Sequence, residues 1–398
     1  MQKLIFFVCF LLFNSASKAQ VDTAGVRLAA NALKKQFAPD KRSVYFQVQF
    51  NGDTVFAEST SAEILSHLAE ERQHFANLIV VNELLPAKNL NGLTFGLANL
   101  SVCNNRAAPN NAAEMMTQMI LGTPVEVLKK QGGYYLVRTP DGYLSYTDAT
   151  AVSLMDKTAF DDWKSTKRIM YVADYGHAYR DGDAKAERVS DLVNGNILVV
   201  TGEAKNFYKV EFPDKRTGFV KKDESVLFSK WLKQANPNAN AILNTAKTLI
   251  GVPYLWGGTS VKGVDCSGFT KTSYFLNGIV IPRDASQQAL IGTEIEVLEN
   301  DSISIDKCLR NLRPGDLLFF AIAKLRGVSG GKVTHTAIYM GDGEFIQAAG
   351  MVRVNSLKPD ANNFDEREYK TLVGARRVLT DIGKPEILRV AAHAWYGR

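Results

Sequence analysis

The spacing of hydrophobic positions along this chain changes several times, and each change marks a different kind of element. After an apolar run from Leu4 to Phe13, the stretch AGVRLAANALKKQF places its apolar residues on one face of a helix. SVYFQVQFNGDTVFAES then alternates about an Asn-Gly-Asp turn as a hairpin does, and SAEILSHLAEERQHFANL returns to helical spacing. Short alternating runs follow: LSVCNN, EMMTQMI, PVEVLKKQ and YYLVRTPDGYLSYT, the last bent at Pro140-Asp141-Gly142. A second set, RIMYVAD, GHAYR, GNILVVTGEAKNFYKVEF and KRTGFVKKD, follows the same plan. YYLVRTPDGYLSY in one set answers NFYKVEFPDKRTGFV in the other, which predicts two copies of one small β-barrel. A helix, AILNTAKTLIG, closed by Gly251 and Pro253, opens the rest of the chain.

These patterns divide the 398 residues into a leader over 1–19, a small α+β region over 20–98, and barrels over 99–157 and 158–232. A larger domain over 233–380 and a tail over 381–398 complete the chain. Roughly 380 residues exceed what one hydrophobic core serves, so several domains are expected. The amino terminus, MQKLIFFVCFLLFNSASKAQ, has one early lysine, an apolar run too short to span a bilayer, and Ser17 and Ala19 spaced for signal peptidase. A cleaved signal and a periplasmic or secreted product are therefore expected. No later stretch approaches the ~20 apolar residues of a membrane helix, so no integral membrane segment is expected.

Charge adds little. Without Lys3 and Lys18, 45 of the 47 basic residues remain against 41 acids, a net charge of +4, and no Lys/Arg block points to nucleic acid. Cysteine adds more. Cys103, Cys266 and Cys308 survive cleavage, and an odd number in an oxidising compartment leaves at least one free thiol; whether Cys103 and Cys308 pair stays open. The five histidines, His67, His74, His177, His335 and His393, are scattered without metal-ligand spacing, so a zinc site is not expected.

The candidate chemistry lies near Cys266. In GVPYLWGGTSVKGVDCSGFTKTSYFLNG, Asp265 is suited to cap a helix starting at Cys266, and Gly278 is suited to end it. A thiol in a first helical turn feels the positive end of the helix dipole, which favours the thiolate. Downstream, KVTHTAIYMGDGEFIQAAG reads as a hairpin with His335 on one strand and Gln347 on the other. A two-residue turn at Asp342-Gly343 would put them on opposite faces. A three-residue loop with Gly343 left-handed would set residue 337 opposite 347 and bring both side chains to one face. The second arrangement supplies a nucleophile, a base and an amide that orients the base.

PYLWGG, DCSGF, IPRDASQQ, LRPGDLLFF and HTAIYMGDGEFIQAAG, in that order, resemble the NlpC/p60 cysteine peptidases, and the two repeated sets resemble bacterial SH3 domains. The whole arrangement is similar to the γ-D-glutamyl-L-diamino acid endopeptidases, the dipeptidyl-peptidase VI type. The fold implied is α+β: a papain-like NlpC/p60 domain preceded by two small SH3-like β-barrels and a small α+β unit. The implied reaction hydrolyses the bond from γ-D-glutamate to meso-diaminopimelate or lysine in murein peptides whose L-alanine has a free amino terminus. The resemblance makes Cys266 the nucleophile, His335 the base and Gln347 the third member. It sets Asp265, Ser267 and Asp284 around the substrate ammonium, with Tyr254 and Trp256 lining the cleft. Glu114 and either Tyr143 or Tyr146 would come from the first barrel.

Two positions depart from the family pattern. Gln347 replaces the usual histidine, and Ala285 stands where a serine is common, with Ser286 one residue later. A monomer acting on murein peptides without cofactor is the expectation. A non-catalytic wall-binding protein, or an amidase or acyltransferase on the same fold, remains an alternative.

Overall fold

The computed structural model describes residues 23–52, 54–71, 79–300, 302–326 and 331–397; the expected leader lies outside them, as does His74. The chain divides after Leu85 into two compact units. In the first, the helix Thr23–Phe37 precedes a hairpin of Phe46–Asn51 and Thr54–Ser59; the helix Ala62–Glu71 then leads to Ile79–Leu84, which pairs parallel to the second hairpin strand. Ala30, Leu33, Ile64, Leu65 and Leu68 bury against Phe46 and Ala57. His67 stacks on Phe37 and bonds Glu70, a packing role.

The α+β region ends at Leu85 rather than at 98, because Phe95–Ala98 is a strand of the next sheet. Its four residues are too few for an alternating signal. They include Gly96, where a Cβ would stand 2.5 Å from Val152 Cγ1.

That sheet runs Val152–Met155, Phe95–Ala98, Pro124–Gln131, Tyr134–Arg138, Leu144–Asp148, Val102–Arg106, Met115–Ile120. The second runs, from the corresponding edge, Ser225–Leu227, Arg168–Tyr171, Ile197–Ala204, Phe207–Glu211, Thr217–Lys221, Tyr175–Tyr179, Arg188–Val193. Numbered by position within each set, both orders are last, first, fourth, fifth, sixth, second, third: one topology twice. Neither closes. The edge strands of each sheet do not pair with one another, so these are open seven-stranded SH3-like sheets and not closed barrels.

The last region carries a six-stranded antiparallel sheet, ordered Thr293–Ile295, Leu372–Arg377, Leu317–Phe320, His335–Gly341, Glu344–Ala349, Met351–Ser356. It is buried on both sides, as the unbroken LLFF run requires. Leu317, Phe319, Ile338 and Ile346 pack with Phe269 and Tyr274 of the Cys266–Phe275 helix and Ile242 of the Ala239–Thr248 helix. Leu318, Phe320, Ala337, Tyr339 and Phe345 join Cys308 and Leu312 in a second cluster. The expected tail is not loose. Leu388–Arg389 pairs with Ile279–Val280, and Val390 and Tyr396 bury beside Trp163 and Phe228. Cys103, Cys266 and Cys308 are all free thiols, so Cys103 and Cys308 do not pair.

Candidate active site

Asp265 caps the helix that begins at Cys266, its Oδ1 accepting the Gly268 N–H at 2.6 Å. Gly268 must be glycine, since a Cβ there would stand 2.0 Å from the Gly258 carbonyl oxygen. Cys266 is buried, with the backbone N–H groups of Thr336, the neighbour of His335 on its strand, and of Ser267 close enough to its sulfur to favour the thiolate. The thiol is pushed up to about 12, first by burial and then by the Asp265 charge, while those amides and Arg283 pull it down. Burial and the Asp265 charge thus oppose the pull of the helix start on the thiol proton. Burial also holds the Tyr254 hydroxyl above its ordinary value, helped by Cys266 and the Asp265 carboxylate beside it. Trp256, 59 % exposed, stands in the same loop.

His335 and Gln347 meet: Nε2 of the imidazole lies 2.6 Å from Gln347 Oε1. The register sets Ile338 opposite Ile346, hence 337 against 347, the alignment required for one shared face. The device differs from the expected three-residue loop. Asp342 and Gly343 are both left-handed, with φ of 50° and 82°, as in a two-residue turn, and a bulge between Tyr339 and Gly341 restores the parity. Behind the pair, Gln347 Nε2 donates to Asn355 Oδ1 at 3.0 Å and Asp365 Oδ2 at 3.1 Å. Glu368, on the helix that Asp365 caps, is held above the usual carboxylate range by burial, the nearby His335 pulling the other way.

Asp265 is not open to an ammonium. The buried Arg283 grips it through both oxygens, at 3.0 and 2.7 Å, and Oδ2 also accepts the Gly257 N–H at 2.8 Å. Ser267 is spoken for as well, its Oγ accepting from Arg283 at 2.9 Å. Burial works against the Arg283 charge, but Asp265 more than offsets it and holds the guanidinium above its ordinary value. Its third contact comes from the first SH3-like sheet, where Nε donates to Thr117 Oγ1 at 2.8 Å.

The same sheet supplies Tyr143, whose hydroxyl donates to Asp284 Oδ2 at 3.1 Å. Tyr146 turns elsewhere, to Gln131. Glu114 is exposed, next to Met115, whose carbonyl packs on Gly257. Ser286 lies in the short helix that follows Asp284. Arg283, Thr117, Asn355 and Asp365 escaped the sequence reading. Only Arg283 carried a signal, an arginine set among apolar positions in IVIPRDAS.

Residues 251–372 match the NlpC/P60 family, and residues 105–152 match the bacterial dipeptidyl-peptidase SH3 domain. A γ-D-glutamyl-L-lysine dipeptidyl-peptidase of Bacillus cereus is 28% identical over 277 residues, 68% of this chain and 77% of that one. Dipeptidyl-peptidase 6 of Lysinibacillus sphaericus is 26% identical over 272 residues, 64% of this chain and 89% of its own. The fold is shared with the crystal structure of an NlpC/P60 family protein from Bacillus cereus, at a TM-score of 0.57 and 23% identity, over 71% of this chain and 99% of that one. The chain therefore carries an NlpC/P60 cysteine-peptidase domain, with Cys266 on a helix and His335 on a strand, behind a bacterial dipeptidyl-peptidase SH3 domain.

Proposed function

We propose that this chain is an exported cysteine peptidase that hydrolyses the bond between γ-D-glutamate and the diamino acid of murein peptides bearing a free amino-terminal L-alanine, releasing L-Ala-D-Glu. The observation that carries the reading is the Tyr143 hydroxyl of the SH3-like sheet on Asp284, in the loop that also sends Arg283 to the Cys266 helix. A wall anchor would have no need to place a side chain there. The two relatives named as dipeptidyl-peptidases support the substrate class, and the leader-like first 19 residues support export to the periplasm or beyond.

In this reading the Cys266 sulfur attacks the γ-glutamyl carbonyl while His335 takes the thiol proton, so transfer accompanies attack and does not precede it. A backbone amide near the helix start faces the developing oxyanion. The imidazolium gives its proton to the departing amine as the C–N bond breaks. Water, deprotonated by His335, then cleaves the thioester and restores the thiol. Asp284, held by Tyr143, with Glu114 beside the cleft, receives the substrate ammonium; the Asp265 charge is already matched by Arg283.

The test is mass spectrometry of products from L-Ala-γ-D-Glu-diaminopimelate and its N-acetylated form. The free peptide is expected to be cut at least ~100-fold faster, because an unmatched charge costs about 3 kcal/mol and each ~1.4 kcal/mol is tenfold. Cys266→Ser removes turnover. Equal kcat/KM on the two peptides, or activity retained without the thiol, overturns the reading.

A further inference from the structure

The His335–Gln347 pair leaves a question of direction that the side chains behind it answer. A glutamine amide has a donor end and an acceptor end, and which one meets the imidazole decides which ring nitrogen carries the proton. We propose that Asp365, with Asn355 and Arg353, is a positioning element that locks the Gln347 amide and thereby holds neutral His335 as its Nε2–H tautomer.

The lock has two ends of fixed polarity. A carboxylate only accepts, so with Asp365 Oδ2 at 3.1 Å the nitrogen of Gln347 must face it. A guanidinium only donates, and Arg353 Nε donates to Asn355 Oδ1 at 3.1 Å, so the oxygen of Asn355 must point inward. That oxygen accepts the second Gln347 N–H at 3.0 Å, and the Asn355 amide nitrogen is occupied by the Asn363 carbonyl at 3.4 Å. Both amides are thus set, one by an anion and one by a cation, and Arg353 Nη2 lies 3.7 Å from Asp365. Gln347 is wholly buried, so water is not at hand to take over either end. Its oxygen is left for His335 alone, 2.6 Å from Nε2, and Nε2 must carry the hydrogen. The lone pair then belongs to Nδ1, the nitrogen free to receive a proton. A buried amide without the Asp365 charge would lose most of this preference, because either end could face a neutral partner.

The inference rests on His335 acting as the base, but its first test needs no substrate. Nitrogen-15 NMR of the His335 ring in the free protein should show the Nε2–H tautomer. Asp365→Asn keeps the helix cap, since asparagine caps as well as aspartate does, and removes the charge beside Arg353 together with the fixed polarity. The Nδ1–H form should then become populated, with kcat reduced by an order of magnitude or more and KM little changed, as expected when a base is held in the wrong tautomer. Gln347→Glu alone sets two carboxylates together and should be worse still. In the double variant, the amide introduced at position 365 donates to a glutamate that can only accept from Nε2–H, so much of the kcat lost in either single variant should return. That double variant keeps the test decisive if Asp365→Asn folds poorly. An unchanged tautomer and kcat in Asp365→Asn, or no rescue in the pair, overturns the proposal. A changed tautomer without any effect on turnover would instead count against His335 as the base.

Discussion

The two SH3-like sheets share a strand order, yet only one of them reaches into the peptidase site, and the difference lies in their turns. In the first, the hairpin turn that begins at Pro140 sends Asp141 to Lys271 on the Cys266 helix and Tyr143 to Asp284. In the second, the turn at Pro213-Asp214 keeps its acid at home: Asp214 binds Arg216 at 2.7 Å, and Arg216 reaches only as far as the Asn99 carbonyl of the first sheet. The strand before each hairpin pair matters in the same way. Thr117 and Gln118 bond Arg283 and the Thr259 amide, whereas the corresponding edge strand of the second sheet gives Asp191 to Lys262 at the surface. A duplicated scaffold thus became two different tools through turn and edge residues, while the buried alternating positions that fix the topology stayed in service of packing.

The largest expected effect comes from Arg283. Arg283→Met would leave Asp265 buried with a charge and no cation, which costs about 3 to 5 kcal/mol. Urea denaturation should show that loss, and activity should fall with it because Asp265 also caps the Cys266 helix. A loss below about 1 kcal/mol would mean that the first sheet is not tied to the catalytic helix through this side chain.

How far this contrast could be read from the sequence depends on the kind of residue. Cys266 at a helix start and His335 on a strand were legible because a capping residue and strand period mark them locally, but the shared face of His335 and Gln347 comes from a bulge between Tyr339 and Gly341 and not from the turn expected. The repeat was legible because its aromatic-turn-aromatic pattern survived in both copies. Arg283 was not, since burial of an arginine depends on a carboxylate 18 residues away and a threonine in another sheet. Asp265 was consequently taken for a ligand of the substrate when its charge is spent inside the fold. Asn355 and Asp365 belong to a strand and a loop beyond the hairpin, with nothing local to mark them. The closing residues looked like a tail because IL, V, A and WY are too scattered to show a period, although Val390 and Tyr396 fill the junction with Trp163 and Phe228.

A smaller effect is expected at the two hairpin turns, and it sharpens the comparison directly. The Asp141 carboxylate is buried; burial tends to raise it, but Lys271, with Thr139, brings it below the usual range. Lys271→Met should therefore cost about 2 kcal/mol, less than a fully enclosed pair because Lys271 is partly exposed. Arg216→Met, at the partly exposed turn of the second sheet, should cost under about 1 kcal/mol. The sign with pH follows from the depressed native value. The Asp141 contribution is complete above the ordinary carboxyl value of 3.8 and is lost as pH falls through the lower native one. Asp141→Asn should accordingly flatten the acid side of the stability curve. Equal losses at the two turns would erase the distinction between the sheets.

The smallest effect is expected at Lys262, where the second sheet touches the peptidase region through Asp191. Both partners are partly exposed, and Asp191 keeps the Ser101 hydroxyl 2.9 Å from each of its oxygens when the lysine is gone. Lys262→Ala therefore leaves no buried charge behind. The loss should stay within about 0 to 1 kcal/mol, shrink further in concentrated salt, and leave kcat/KM on the free tripeptide unchanged. Urea titrations at low and high salt, with the rate measured on the same preparation, decide the point. A loss near 3 kcal/mol that salt does not screen, or a tenfold fall in kcat/KM, would put the second sheet inside the catalytic unit, and the two copies would then differ in which part of the site they build rather than in whether they build it.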